Sequence, residues 1–141
     1  RCFQLKNLLT DVERVADMAE DIAQSAVEHI DNEVMFSTQA IDDLQRLAGH
    51  VQHTYLLALQ AFEENDPDLA RQVCQEESEF DHLYWQVRQE HIERLAAGIC
   101  QPEADVIFTE TLRSLERISD HADNFGVSVA RTVKEKLAVV N

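Results

Sequence analysis

Two stretches of this chain carry almost the same acidic phrase. "LERISDHADN" spans 115–124 and "DVERVADMAEDI" spans 11–22, and each sets a Glu and an Asp four residues apart, as Glu116/Asp120 and Glu13/Asp17. On a helix this spacing stacks like charges one turn apart, at a cost of roughly 0.2–0.5 kcal/mol per pair. A bound cation would offset it. A third pair, Glu77/Asp81, stands in "EESEFDHLY". Frequency alone decides nothing. Among 27 acidic residues there are five such pairs, 13/17, 17/21, 64/68, 77/81 and 116/120, and chance supplies about as many. A solvated acidic face is the ordinary reading of any one of them.

Placement separates the pairs. The turn between the third and fourth predicted helices is centred near residue 100 or 101. Asp81 precedes it by about as many residues as Asp120 follows it, which puts both about 30 Å up their helices. Glu77 and Asp81 fall near a seam of the third helix, so four carboxylates can gather at one level of the groove between helices three and four. Without a cation such a group repels itself or takes up protons at raised pKa. Its oxygen donors suit iron, manganese, magnesium or calcium better than a thiolate-seeking ion. On a helical wheel Glu13, Asp17, Glu116 and Asp120 all lie well away from the apolar stripe, so a site built from them lies on the outer surface.

The elements that must carry these residues follow from periodicity. Leu5, Leu8, Val12, Val15, Ala19, Ile22, Ala26 and Ile30 recur at spacings of three and four and predict a helix over about 5–30, broken by Asp31-Asn32. A second stripe runs from Ile41 to Phe62 and stops at "ENDPD", where Asp66 can cap and Pro67 suits the first helical position. A third runs from Leu69 to Leu95, closed by Gly98 and by the Gln101-Pro102 pair; a fourth runs from Ile107 to Leu137. Four long helices with short connections predict an all-α, antiparallel up-down-up-down four-helix bundle, with residues 1–141 as one domain.

Composition narrows the function. The net charge of −15 argues against nucleic acid and against anionic membrane surfaces as direct partners. No apolar run is long enough to cross a membrane, so this segment is not expected to insert. Cys2, Cys74 and Cys100 are three in number and widely spaced, which reads as reduced thiols rather than a disulfide framework or a zinc site. The first residue is Arg1 rather than Met, which suggests a domain cut from a longer polypeptide.

Competing chemistries find little support. A ferritin-like oxidase needs two inward Glu-x-x-His motifs; the one match, Glu79/His82, faces outward. A phosphotransfer bundle needs an exposed His followed closely by Lys and Gly, whereas His121 is followed by Ala122, Asp123 and Asn124. His50 and His53, three apart on the second helix, read as surface residues because no Cys or third His shares their level. Tyr84 and Trp85 straddle the edge of an apolar face, as a seam or a dimer contact does. No nucleophile, base and oxyanion hole come together, so no enzymatic activity is expected.

At "LERISDHADN" the sequence resembles the PhoU family, whose repeated signature reads close to "LERIGDHAxNIA". Ser119 stands where the family usually has Gly, and Phe125-Gly126 where it has Ile-Ala. "DVERVADMAEDI" is a looser copy, and Glu77 with "EFDHLY" is similar to the family's other acidic motif. The stretch "LAGHVQHTYLLALQAFEENDPDLARQV" fits the helix between these motifs. The resemblance implies a module of one three-helix repeat plus the last helix of a preceding one. It implies metal ligation by Glu77, Asp81, Glu116 and Asp120, with Glu13 and Asp17 as half of a second site. It further implies a role in phosphate transport or its regulation. One setting is the cytosolic tail of a sodium/phosphate cotransporter at the inner face of the plasma membrane. The other is a free-standing regulator that contacts a membrane phosphate transporter. The unpartnered half motif suggests a homodimer or an exposed groove beside the first helix. A metal-free helical interaction domain is the alternative from another class.

Overall fold

The computed structural model describes residues 2–140 of the backbone and the side chains of residues 6–132. Four helices occupy nearly all of it: α1 (Cys2–Asp31), α2 (Thr38–Glu64), α3 (Pro67–Ala96) and α4 (Pro102–Val140). No strand occurs among the described residues. The all-α bundle expected from periodicity is the observed fold. Leu5, Val133 and Leu137 of the expected stripes, and Cys2, lie outside the described side chains.

The helix ends follow local chemistry. Ser37 caps α2 by accepting from the Ala40 amide at 3.2 Å. Asp66 caps α3, with Oδ1 accepting from the amides of Asp68 and Leu69, and Pro67 takes the first position. Asn65, at φ 52°, ends α2 in the left-handed region, and Gly98, at φ 69°, turns the chain after α3. Pro102 corrects the sequence reading. It does not close the third helix but opens the fourth, at a position where its missing N–H has no helical partner in any case.

Helices α2, α3 and α4 approach one another pairwise, whereas α1 approaches α4 alone. The architecture is therefore a three-helix unit with one further helix laid along α4, and α1 and α2 do not close a square. Side-chain pairs give the directions. Residues 7–14 of α1 face 124–131 of α4 and residues 21–28 face 110–117, while Asp43 near the start of α2 meets Arg94 at the end of α3, so both helix pairs run antiparallel.

Inner faces show a three-four repeat. On α2 the buried positions are Ala40, Asp43, Leu47, Val51, Thr54, Ala58 and Ala61; on α3 they include Val73, Phe80, Tyr84, Val87 and His91. Phe80, Phe108, Leu47, Val73 and Val87 form the best-shielded core. The α2 line is offset by one residue from the apolar stripe read in the sequence, because Asp43 and Thr54 are polar yet fully buried. Thr54 donates to the His50 carbonyl at 3.0 Å. The Asp43 carboxylate takes a hydrogen bond from Gln39 at 3.0 Å, and the Arg94 Nη2 stands 3.0 Å from its Oδ2 in charge contact.

The α1 stripe is covered over only part of its width. Leu8 and Met18 are buried, but Val12 is 41% and Ile30 71% exposed. Because α1 rests on α4 alone, its far edge opens toward α2. There Ile22, Ala26, Phe36, Leu44, Ala48 and Leu115 line an almost wholly apolar groove of about 270 Å³.

α3 and α4 come close at Gly126. A Cβ placed there would stand 3.2 Å from the Ala70 carbonyl oxygen and from Val73 side-chain atoms. Gly126→Val should therefore overpack the seam and cost about 1–3 kcal/mol. Gly49, by contrast, has nothing within 4 Å of such a Cβ. Gly49→Ala should gain about 0.5–1 kcal/mol from helix propensity. Urea unfolding of the two variants, with unchanged slope, checks both signs.

Candidate cation site at the α3–α4 seam

Glu77 belongs to the inner repeat of α3. It falls between Val73 and Phe80 on the line of buried positions and is itself half-buried. Asp81 is one turn further on and exposed. From α4, Glu116 is half-buried and Asp120 exposed, flanking the buried Ile118 and Ser119. The seam therefore holds carboxylates at the border of the core, where burial and mutual repulsion act together.

Charge links Asp81 and Asp120 to each other and each of them to both Glu77 and Glu116. Burial raises the Glu77 pKa above its ordinary 4.5, and the charges of Asp81, Asp123 and Asp120 raise it further. Burial likewise raises Glu116, with Asp120 and Asp81 adding to the effect, against partial relief from Tyr84 and Arg88. Asp120 is raised by burial, Asp81 and Asp123, and is partly relieved by His121 and Arg117. Each of these carboxylates feels acids of the opposite helix, as expected for one cluster at one level.

Three neighbours complete the cluster. Asp123 lines the same cleft, of about 400 Å³, with Glu77, Arg117, Asp120, His121 and Asn124. Its place three residues after Asp120, one turn along the same face, was the available sequence signal. Burial and the charge of Glu116 raise the Tyr84 phenol pKa, so it stays protonated. Cys74 is pushed up to about 11 by partial burial and by the neighbouring carboxylates of Asp123 and Glu77, so it stays a thiol. Neither residue carries a charge pattern that marks it in the sequence.

Glu13 and Asp17 do not join this cluster. Both are exposed on α1, which does not approach α3. Asp21 of the same run faces another cleft, shared with Glu28, Glu110, Arg113 and Arg117.

The donor set fits a hard cation: carboxylate oxygens, with the nearby thiol held protonated and no thiolate in competition. The side chains have not closed into a ready polyhedron, since no group of three His, Cys, Asp or Glu among the described residues is placed to hold one ion. Ligation by Glu77, Asp81, Glu116 and Asp120 requires their rotamers to turn inward across the seam. Glu79 and His82 are exposed, so neither enters the bundle. His50 is half-buried and bonds the Glu76 carbonyl at 2.8 Å, which ties α2 to α3.

Comparison with known proteins bears on this geometry. The PhoU domain family matches residues 44–129, which cover the three-helix unit and the α3–α4 seam. The chain is 27% identical over 127 residues to a Thermotoga maritima phosphate-specific transport system accessory protein PhoU homolog 1, covering 86% of this chain and 54% of that one. It is 29% identical over 132 residues to a Pseudomonas aeruginosa phosphate-specific transport system accessory protein PhoU homolog, covering 94% of this chain and 54% of that one. The chain spans about half the length of the curated relatives it matches. No solved structure matches it. With more than half of its residues inside the domain match, the chain belongs to the PhoU family.

Proposed function

We propose that this chain is a regulatory module of phosphate transport that takes a hard cation at the α3–α4 seam. The observation that carries the reading is that Glu77 of α3 and Asp120 and Asp123 of α4 line one cleft, with Asp81 and Glu116 near enough to add to the repulsion. A bound divalent or trivalent ion would neutralise that repulsion and draw the four carboxylates inward. Iron, manganese and magnesium are the candidates by donor chemistry. Seam closure would then couple ion occupancy to the shape the module shows a membrane phosphate transporter. The named relatives are accessory proteins of phosphate-specific transport systems, which favours action in trans. Action in cis, as the cytosolic tail of a sodium/phosphate cotransporter, rests on the sequence resemblance. No helix among the described residues is long and apolar enough to cross a membrane.

A covering body on the α1 side is part of this reading. The apolar groove between α1 and α2, with Val12 and Ile30 exposed beside it, is suited to a second copy of the chain. Sedimentation should show reversible dimerisation that Ala26→Glu/Ala48→Glu abolishes. A strict monomer at high concentration would remove the dimer from the proposal.

Cation binding has a direct thermal test. An ion that binds only the folded chain adds about 2.7 kcal/mol at a hundredfold excess over Kd. Iron, manganese or magnesium should therefore raise the melting temperature of the wild type and not that of Asp81→Asn/Asp120→Asn. Equal stabilisation of both proteins by sodium chloride at matched ionic strength would reduce the site to a screened acidic face.

The metal-free protein should show the opposite pH sign. Glu77, Glu116 and Asp120 have raised pKa values when folded, so the folded state holds their protons more tightly than the unfolded chain does. Their contribution is most favourable below the ordinary carboxylate values and is lost as pH rises through the raised ones. Between about pH 7 and about pH 5 the wild type should gain stability relative to Glu77→Gln/Asp120→Asn. With saturating metal the trend should invert, because protons then compete with the ion. Paired melts in chelator-treated and metal-loaded protein read both slopes.

A further inference from the structure

Further along α4, the edge that faces the start of α1 gathers positive charge. Between α1 and α4 lies a cleft of about 460 Å³ whose charged lining is Arg14, Arg131 and Asp11. In a chain with 27 acidic and 12 basic residues, two guanidinium groups in one cleft need an explanation. Elsewhere arginines stand beside acids or on an aromatic ring: Arg46 and Arg94 against Asp43, Arg71 against Asp68, Arg88 over the Trp85 ring, and Arg113 and Arg117 in a cleft shared with Asp21, Glu28 and Glu110. Neither Arg14 nor Arg131 has a described carboxylate within 4.0 Å. Asp11, the one acid in the cleft, has Oδ1 engaged by His121 Nδ1 at 2.9 Å.

The neutral lining adds donors. The amides of Asn7 and Asn124 and the hydroxyl of Ser128 line the cleft and make no side-chain hydrogen bond to another described residue. Leu8 and Val127 supply an apolar wall. The polar residues stand at matching helical spacings, 7, 11 and 14 on α1 and 124, 128 and 131 on α4, so each set shares one helix face. Positive charge, donors without partners and a small apolar wall are what a phosphate group with a short organic body requires. The volume lies within the range of small-ligand sites.

We propose that the α1–α4 cleft binds a small phosphate-type oxyanion through Arg14, Arg131, Asn7, Asn124 and Ser128. This inference is separate from the cation reading, because Arg14 and Arg131 take no part in the carboxylate seam, Asn124 alone borders both clefts, and the test needs no metal. The shared chemistry is the phosphate group, whether free or carried on an organic molecule.

The test uses the full 141-residue chain, freed of metal and then dialysed free of chelator. Sodium phosphate and glycerol 3-phosphate are titrated separately against sodium chloride of equal ionic strength, with ¹⁵N spectra recording the Asn7 and Asn124 side-chain amides. Saturable shifts of these amides are expected with at least one phosphate and not with chloride. The better ligand identifies whether the free or the organic form is preferred. Arg14→Gln and Arg131→Gln should each weaken binding by about tenfold, the scale of one lost charge-assisted contact. Arg14→Lys should recover part of the loss, and Arg71→Gln, remote and paired with Asp68, should change nothing. All three positions are exposed, so the variants should fold as the wild type does. Non-saturable shifts, shifts equal to those with chloride, or binding unchanged by both glutamine substitutions would overturn the proposal.

Discussion

One helix has to bury itself against three neighbours at once. α4 approaches α1, α2 and α3, and no other helix does as much. That demand sets its composition. Ile107, Phe108, Leu112, Leu115, Ile118, Ala122, Phe125 and Val129 face inward around much of its girth, leaving narrow polar edges between the contacts. Small residues sit where neighbours come closest, as at Gly126 against Ala70 and Val73. A helix apolar over so much of its circumference can place its charges only at the seams, and the chemistry of the molecule is consequently seam chemistry.

The two neighbouring clefts differ in charge. Toward α3, α4 presents Asp120 and Asp123; toward α1 it presents Ser128 and Arg131, with Asn124 bordering both. On the first side α3 answers with Glu77, one turn from Asp81. Tyr84 and Cys74 border the crowd as protonated, neutral groups. Repulsion retained at the border of a packed core is stored free energy that a counter-ion can release. The same number of charges spread over a solvated face would store almost none.

The amount readable in the sequence depended on which interaction set each feature. Helix number, order and most boundaries were legible, because apolar spacing and the Asp66-Pro67 start are local signals. Pro102 was misassigned because a proline marks both the residue after one helix and the first residue of the next. The exposed side of α1 was invisible: Val12 and Ile30 continue a regular stripe, and only the tertiary arrangement shows that nothing described covers them. Asp43, Thr54 and His91 were missed as core positions, since a polar residue enters the interior only when a partner satisfies it, which for Thr54 is the His50 carbonyl and for Asp43 and His91 a residue of another helix. For His91 that partner is Asp105, 2.8 Å away across the α3–α4 turn, with Phe108 stacked on the ring. The motif carboxylates were legible at Glu77, Asp81, Glu116 and Asp120. Asp123, Tyr84 and Cys74 were not, because their part depends on three-dimensional proximity rather than on a repeated phrase.

The contact of Asp43 with Arg94 bears on how the helices find their alignment. Apolar side chains at heptad spacing tolerate sliding, since a shift of one turn brings another Leu, Val or Ala against the same neighbour. A fully buried carboxylate does not. Displaced by one turn, α3 would carry Arg94 away and leave Asp43 with only one charge contact, the 3.7 Å one to Arg46 on its own helix. Losing one partner of such a pair costs about 3–5 kcal/mol. Against the roughly 5–15 kcal/mol that holds an ordinary domain together, that is enough to empty the slipped state. The pair thus acts as a detent between α2 and α3. It fixes their axial setting at one end, so that forty ångströms of otherwise forgiving apolar surface has a single preferred register, and the seam carboxylates further along α3 inherit a defined height (roughly 1.5 Å per residue from that anchor).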